Sequence, residues 1–241
     1  MINEQIAKLL EDHRILFNGE PISFDGVVDE HVYLSSKIRT AFLLKDVNGL
    51  ETVTNIDGTK SIQMMKNDWP DYMDWLKSQA TSQTEKLYKT WPNVCLWIEA
   101  LKNDNYNYTE CLNTWGTFDA SRLRANLLEI SIINLKKTPG GGSSNSDDVL
   151  AATIYGKELL KEEITIVDPQ LIICGGTFHF AKILFNIDDT QVSLLPSGAS
   201  YFIIDNRIYL EFVHPMWFNV DQKILFAYAK SVFSDVKKLI I

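Results

Sequence analysis

The chain reads as a single α/β domain of three layers, α/β/α, with a central, mainly parallel, four-stranded sheet and extra helices. Three observations carry that reading. Short apolar runs at 40–44, 127–135, 171–174 and 208–213 are bounded by turn residues, the pattern of buried strands. Segments of helical spacing lie between them, and strands alternating with helices imply a parallel sheet covered by helices. Three of the runs end abruptly in a polar side chain: Asp46, Asn134 and His214. In an open parallel sheet the carboxyl ends of the strands line one crevice. A carboxylate, a carboxamide and an imidazole are therefore expected to meet in one pocket.

Taken in order, Ile2, Ile6, Leu9, Leu10, His13, Leu16 and Phe17 share one helical face, and Asn18-Gly19-Glu20-Pro21 stops that helix. The stretch 22–33 is irregular, with room for one short strand. The run 40–44 is the first convincing buried strand. Trp69, Trp75, Trp91, Trp97 and Trp115 fall within 50–117, and Trp-Pro occurs at 69–70 and 91–92. Proline suits the first helical turn, so helices are expected from about Pro70 and Pro92. The block 50–117 is read as a Trp-rich helical insertion whose aromatics are mostly core, and 1–38 as a helical N-terminal extension. A short helix from Ser121 leads into the strand at 127–135. Residues 138–146, Thr-Pro-Gly-Gly-Gly-Ser-Ser-Asn-Ser, form the clearest loop. Asp147 or Ser146 then caps a helix running to about Glu163. After the strand at 171–174, Gly175-Gly176 make a tight turn and Thr177 is the expected N-cap of a helix to about Phe185. Runs at 201–204 and 208–213 flank Asp205-Asn206, a hairpin turn. Val220, Ile224, Leu225, Tyr228, Val232, Phe233 and Val236 mark a last amphipathic helix over 220–238.

Composition narrows the function. The 241 residues are 46% hydrophobic and 22% charged, as expected of an ordinary soluble globule. No apolar run reaches the ~18 residues of a membrane span, so no membrane partner is expected. Residues 1–8 are polar and helical in pattern, unlike a signal peptide. Cys95, Cys111 and Cys174 lie far apart without Cys-x-x-Cys spacing. That argues against a zinc or iron–sulfur site and suits a reducing cytoplasm, so no metal and no cofactor is expected. The net charge of −8 has the wrong sign for a nucleic-acid binder. A DNA partner would need a local basic stripe.

Each polar strand end has a chemical and a bland reading. Asp46 can orient a water as general base, or cap a turn. The Asn134 amide can read the edge of a planar base, or satisfy loop backbone. Pro215 restricts His214 to extended geometry, and a neutral imidazole N–H there can stabilise developing negative charge. The alternative is a packed histidine. The loop containing Gly141, Ser143 and Ser144, with Lys136 and Lys137 beside it, offers N–H groups, hydroxyls and charge to a phosphate. It lacks the Gly-Lys-Ser/Thr of a Walker loop, and the alternative is a flexible connector.

As a set, these stretches resemble the uracil-DNA glycosylase superfamily. That family carries a water-activating motif after its first sheet strand, typically Gly-Gln-Asp-Pro-Tyr. Leu44-Lys45-Asp46-Val47-Asn48 stands in that place, with only Asp46 identical. Ile132-Ile133-Asn134 matches the family's strand ending in a pyrimidine-reading Asn. A loop of small polar residues follows, as at 140–146. Cys174-Gly175-Gly176-Thr177 looks like its Gly-Ser phosphate contact. His214-Pro215-Met216-Trp217-Phe218 keeps the first two residues of its His-Pro-Ser-Pro-Leu motif. The resemblance covers about 40–218, and 1–38 and 50–115 match nothing in the family pattern.

The resemblance implies a metal-independent, monofunctional DNA glycosylase acting on single- or double-stranded DNA, with no obligate protein partner. Asp46 and His214 would be catalytic, and Asn134, Asn48 and Lys45 would line the base. Lys136, Lys137, Gly141, Ser143, Ser144, Gly175 and Gly176 would hold phosphates. Trp217 or Phe218 would fill the vacated stack. Asn48 replaces the family's Tyr beside C5 of the base. That opens the pocket to a polar C5 substituent, as in glucosylated 5-hydroxymethylcytosine of phage DNA, and implies the phage-defence branch, the bacteriophage-replication-inhibition glycosylases. Two other readings stand: a uracil-DNA glycosylase of base-excision repair, and a non-catalytic nucleotide- or protein-binding α/β module, which the acidic net charge favours.

Overall fold

The computed structural model describes residues 1–20, 22–46, 50–54, 60–64, 72–84, 86–140, 144–217 and 220–240, with backbone alone over 50–54 and 60–64. The chain begins with α1 (Ile2–Asp12), β1 (Gly26–Val27), α2 (Glu30–Ser35) and β2 (Thr40–Leu44). A hairpin of β3 (Leu50–Thr54) and β4 (Lys60–Met64) precedes α3 (Tyr72–Thr81) and α4 (Trp91–Lys102). A 3-10 segment (Ser121–Glu129) runs into β5 (Ile130–Asn134). Next come α5 (Ser146–Tyr155), α6 (Lys157–Val167), β6 (Leu171–Gly175) and α7 (Phe178–Phe185). The chain closes with β7 (Ser193–Leu194), β8 (Ser200–Ile204), β9 (Arg207–Phe212) and α8 (Gln222–Ile240).

The main sheet has seven strands in the order β1-β5-β2-β6-β9-β8-β7 and is mixed, which corrects the expected four-stranded sheet. β5, β2, β6 and β9 run parallel at its centre. β1 adds antiparallel at one edge, and β8 and β7 at the other. β1 is the short strand for which 22–33 left room, and β7 has two residues, too few for any periodicity to register in the sequence.

Side chains alternate across a strand, and the sheet accordingly separates two apolar layers. Phe42 and Leu44 face one layer with Trp97 of α4 and Phe233 of α8. Ala41 and Leu43 face the other with Leu10 of α1, Ile164 of α6 and Ala181 of α7. The Trp97 ring lies edge-on to Phe212 at 4.8 Å and stacked on Phe42 at 6.3 Å. Removing such a ring costs about 3–5 kcal/mol, so α4 is a structural pillar of the sheet.

Several local expectations are revised. α1 stops at Asp12, and 14–17 are a 3-10 turn closed by Asn18 in the left-handed region at φ 49°. The stretch 22–33 holds the start of α2, whose N-cap Asp29 accepts from Val32 N–H at 3.1 Å. The block 50–117 is not wholly helical, because it opens with the β3–β4 hairpin. The helix expected to Glu163 is two helices divided at Gly156, and the N-cap of the first is Asn145 rather than Ser146 or Asp147. Trp91 and Trp97 are buried, but Trp115 is 89% exposed; Trp69 lies outside the described residues. The hairpin at Asp205-Asn206 has both residues at positive φ, 50° and 61°, the requirement of a tight turn matched to strand twist.

Candidate active site

From β2 the chain crosses to β5 on one side, then returns past β2 to β6 on the other. The order of the parallel strands reverses between β2 and β6. Such a switch point opens a crevice beyond the carboxyl ends of the strands. Leu44 pairs in register with Asn134, and Gly175 with Phe212. Asp46 therefore stands two residues past β2, Asn134 closes β5, Gly175 closes β6, and His214 stands two residues past β9.

Backbone pairing continues beyond the strands: Leu135 N–H donates to Leu44 O and Lys136 N–H to Lys45 O, each at 2.9 Å. That extension sets Lys136 beside Asp46, with Nζ 3.9 Å from Oδ2. The Lys136 ammonium also donates to the carbonyls of Thr138 at 3.2 Å and Pro139 at 3.0 Å, fixing the turn. Gly140 and Ser144 both meet Asp46. Gly140 sits against the carboxylate so closely that any Cβ would collide with it, and the Ser144 hydroxyl donates to Oδ1. The Asp46 side chain is 5% exposed as a result. An ionised carboxylate has about four lone-pair sites, so Ser144 leaves acceptor capacity for a water.

His214 is held in one tautomer. Met216 N–H donates to its Nδ1 at 3.1 Å, so Nδ1 is the acceptor and Nε2 carries the proton. Burial lowers the imidazole pKa below its ordinary value; Lys45 pushes the same way and Asp46 opposes it. The ring is thus a neutral N–H donor next to a carboxylate. Gly175 and Gly176 let it approach β6. A Cβ at Gly175 would lie 2.9 Å from Leu44 Cδ2 and 3.1 Å from Pro215 Cδ, and Gly176, at φ +69°, lies against the His214 Cβ. From α4, the buried Asn93 donates Nδ2 to the Pro215 carbonyl at 2.6 Å, which anchors the turn carrying His214.

Asn134 is buried. Its backbone N–H donates to the Asp25 carboxylate, and its side-chain amide faces the same carboxylate. Asp25 Oδ2 also accepts from Lys137 Nζ at 2.8 Å, and that ammonium stands 2.5 Å from Glu163 Oε2. Burial raises both carboxyl pKa values above the ordinary range, Glu163 to about 7, against the pull of Lys137.

Comparison with family models, with curated proteins and with solved structures finds no match to this chain.

The structure sets Lys136 and Ser144 on Asp46, sets Gly175 and Gly176 against the His214 turn with the Lys45 charge near the ring, and ends β5 at Asn134, whose contact is Asp25. It does not place all of them as phosphate contacts. Lys137 is corrected outright: its ammonium is enclosed between Asp25 and Glu163, with the side chain 2% exposed, and cannot reach a phosphate. Lys136 and Ser144 turn inward onto Asp46. The N–H of Gly176 is spent on the Phe212 carbonyl at 2.9 Å. Thr177 occupies the N-cap position of α7, but its hydroxyl donates to Leu43 O at 2.7 Å instead of capping. Trp217 is exposed at the rim. Asn48, Gly141, Ser143 and Phe218 lie outside the described residues. Among the described residues, no three His, Cys, Asp or Glu side chains converge as metal ligands would.

Asn93 and Asp25 are the residues sequence reasoning missed. Asn93 carried a weak signal, a lone amide in the apolar helix Trp-Pro-Asn-Val-Cys-Leu-Trp-Ile. Asp25 carried none. Lys136 stands against Asp46, and in a separate cavity past β6 Lys182 pairs with Asp189 near Glu211.

Proposed function

We propose that the chain is a monofunctional DNA glycosylase of the uracil-DNA glycosylase type, acting on a modified pyrimidine. One observation carries the reading: a shielded carboxylate, a buried amide and a neutral imidazole donor stand at or just past the carboxyl ends of three parallel strands around the switch point. A base cannot be attacked inside a duplex, so the nucleotide is flipped into the crevice. The Asn134 amide takes up the base edge. The C1′–N bond breaks, and its electron pair leaves with the base. The Nε2–H of His214 meets that developing anion. Asp46 offsets positive charge on the sugar and orients the water that adds to C1′, as carboxylates do in glycoside hydrolysis. Ser144 and Lys136 hold Asp46 in place, and Asn93 holds the His214 turn. Trp217 at the rim supports a stacking role against DNA. Loss of a base in this way leaves an abasic site without strand cleavage.

The sequence at Asn48 supports a pocket open on the C5 side of the base, and with it glucosylated 5-hydroxymethylcytosine as substrate. A non-catalytic binding module draws its support from the net charge of −8. Competition between uracil DNA and glucosyl-hydroxymethylcytosine DNA, read by mass spectrometry of released base, separates the readings. Wild type is expected to prefer the glucosylated base and Asn48→Tyr to lose that preference. Preference for uracil in both proteins defeats the open-pocket reading, and no release from either DNA favours the binding module.

A further inference from the structure

A cavity of about 540 Å³ lies at the opposite end of the sheet from the crevice. Thr40 opens β2 on its wall, and Glu129 and Gln170 immediately precede β5 and β6. The cavity is formed between the C-terminal parts of α4 and α8. Ile98 and Leu101 of α4, Ile240 of α8 and Ile38 give it an aliphatic surface. Its size falls within the range of roughly 300–1,000 Å³ typical of small-molecule sites, which are largely apolar with a few placed polar groups.

The polar groups are unbalanced. Lys102 pairs with Glu129, and Lys237 with Asp104. Lys37 forms no ion pair among the described residues and stands exposed at the mouth. Gln170 Oε1 accepts from Arg39 N–H at 3.1 Å, which leaves its NH₂ group as a second donor. Three ammonium groups against two carboxylates leave one positive charge, in a protein of net −8. A surplus positive charge over an aliphatic cavity favours a ligand with one negative head and a flexible apolar body.

We propose that this cavity binds an amphipathic monoanion with an aliphatic chain and a single carboxylate head, the head on Lys37 and the chain between α4 and α8. The site is separate from the crevice and stands whether or not the chain acts on DNA. Calorimetric titration of the full chain with decanoate, against decylammonium as the opposite-charge control, tests it. Decanoate is expected to saturate at one site and decylammonium to bind at least tenfold more weakly. Lys37→Glu, on an exposed side chain, should weaken decanoate about tenfold. Ile240→Trp should fill the cavity and remove binding while circular dichroism stays unchanged. Absence of saturable decanoate binding overturns the proposal, as does equal binding of the two amphiphiles. Wild-type affinity in Lys37→Glu does the same, and it decides the matter alone should Ile240→Trp fail to fold.

Discussion

His214 shows how one backbone bond sets a chemical state. With Met216 N–H on Nδ1, protonation of the ring must break that bond, and burial already disfavours the cation. The excision rate is therefore expected to fall with pH through a midpoint below 6.5, the ordinary histidine value. A single-turnover pH profile with its midpoint at or above 6.5 would contradict the neutral-donor role. His214→Ala should slow excision more than it weakens DNA binding, because the bond to the base strengthens as the base becomes anionic; equal losses would indicate mere positioning. At this scale the sequence was legible where an apolar run ended in a lone polar residue, as at Asp46, Asn134 and His214. It was misleading at Lys137, because two consecutive lysines beside a Gly-Ser loop look alike in sequence. Strand alternation sends one toward Asp46 and the other toward Asp25 and Glu163.

Among the elements, α4 is coupled to the turn after β9 by the bond from Asn93 to the Pro215 carbonyl. Asn93→Ala leaves that buried carbonyl unpaired, at a cost of roughly 1–3 kcal/mol. The expected result is a lower unfolding midpoint together with an excision rate reduced about tenfold, restored in part by Asn93→Ser. A stability loss with unchanged excision would show that the anchor does not position His214. The helices with a clear stripe and the four long apolar strands were legible. Of the edge strands, β1 falls within 22–33, where room for one short strand was expected, whereas β7 was not legible, being two residues long and held by backbone hydrogen bonds. The division of α5 from α6 was signalled only by Gly156. There the chain turns so tightly that a Cβ would come within 2.8 Å of the Ala152 carbonyl.

For the whole molecule, the buried Asp25–Lys137–Glu163 cluster links stability to pH. Glu163 has an ordinary pKa of 4.5 and about 7 when folded, chiefly through burial. Between those values the folded chain holds more protons than the unfolded one, so stability falls as pH rises through that window. The contribution is on the order of 3 kcal/mol. Glu163→Gln keeps an acceptor for Lys137 and should flatten the dependence, which urea unfolding at pH 5 and pH 8 would read. An unchanged slope would contradict the assignment. In the crevice the three strand-end residues are proposed to act as one site. Release of free base from glucosyl-hydroxymethylcytosine and uracil duplexes, by wild type and by Asp46→Asn, decides it. Wild type is expected to release base and leave abasic sites, and Asp46→Asn to release it at least ~10²-fold more slowly at unchanged fold. No release by wild type from either duplex, or undiminished release by the variant, would contradict it.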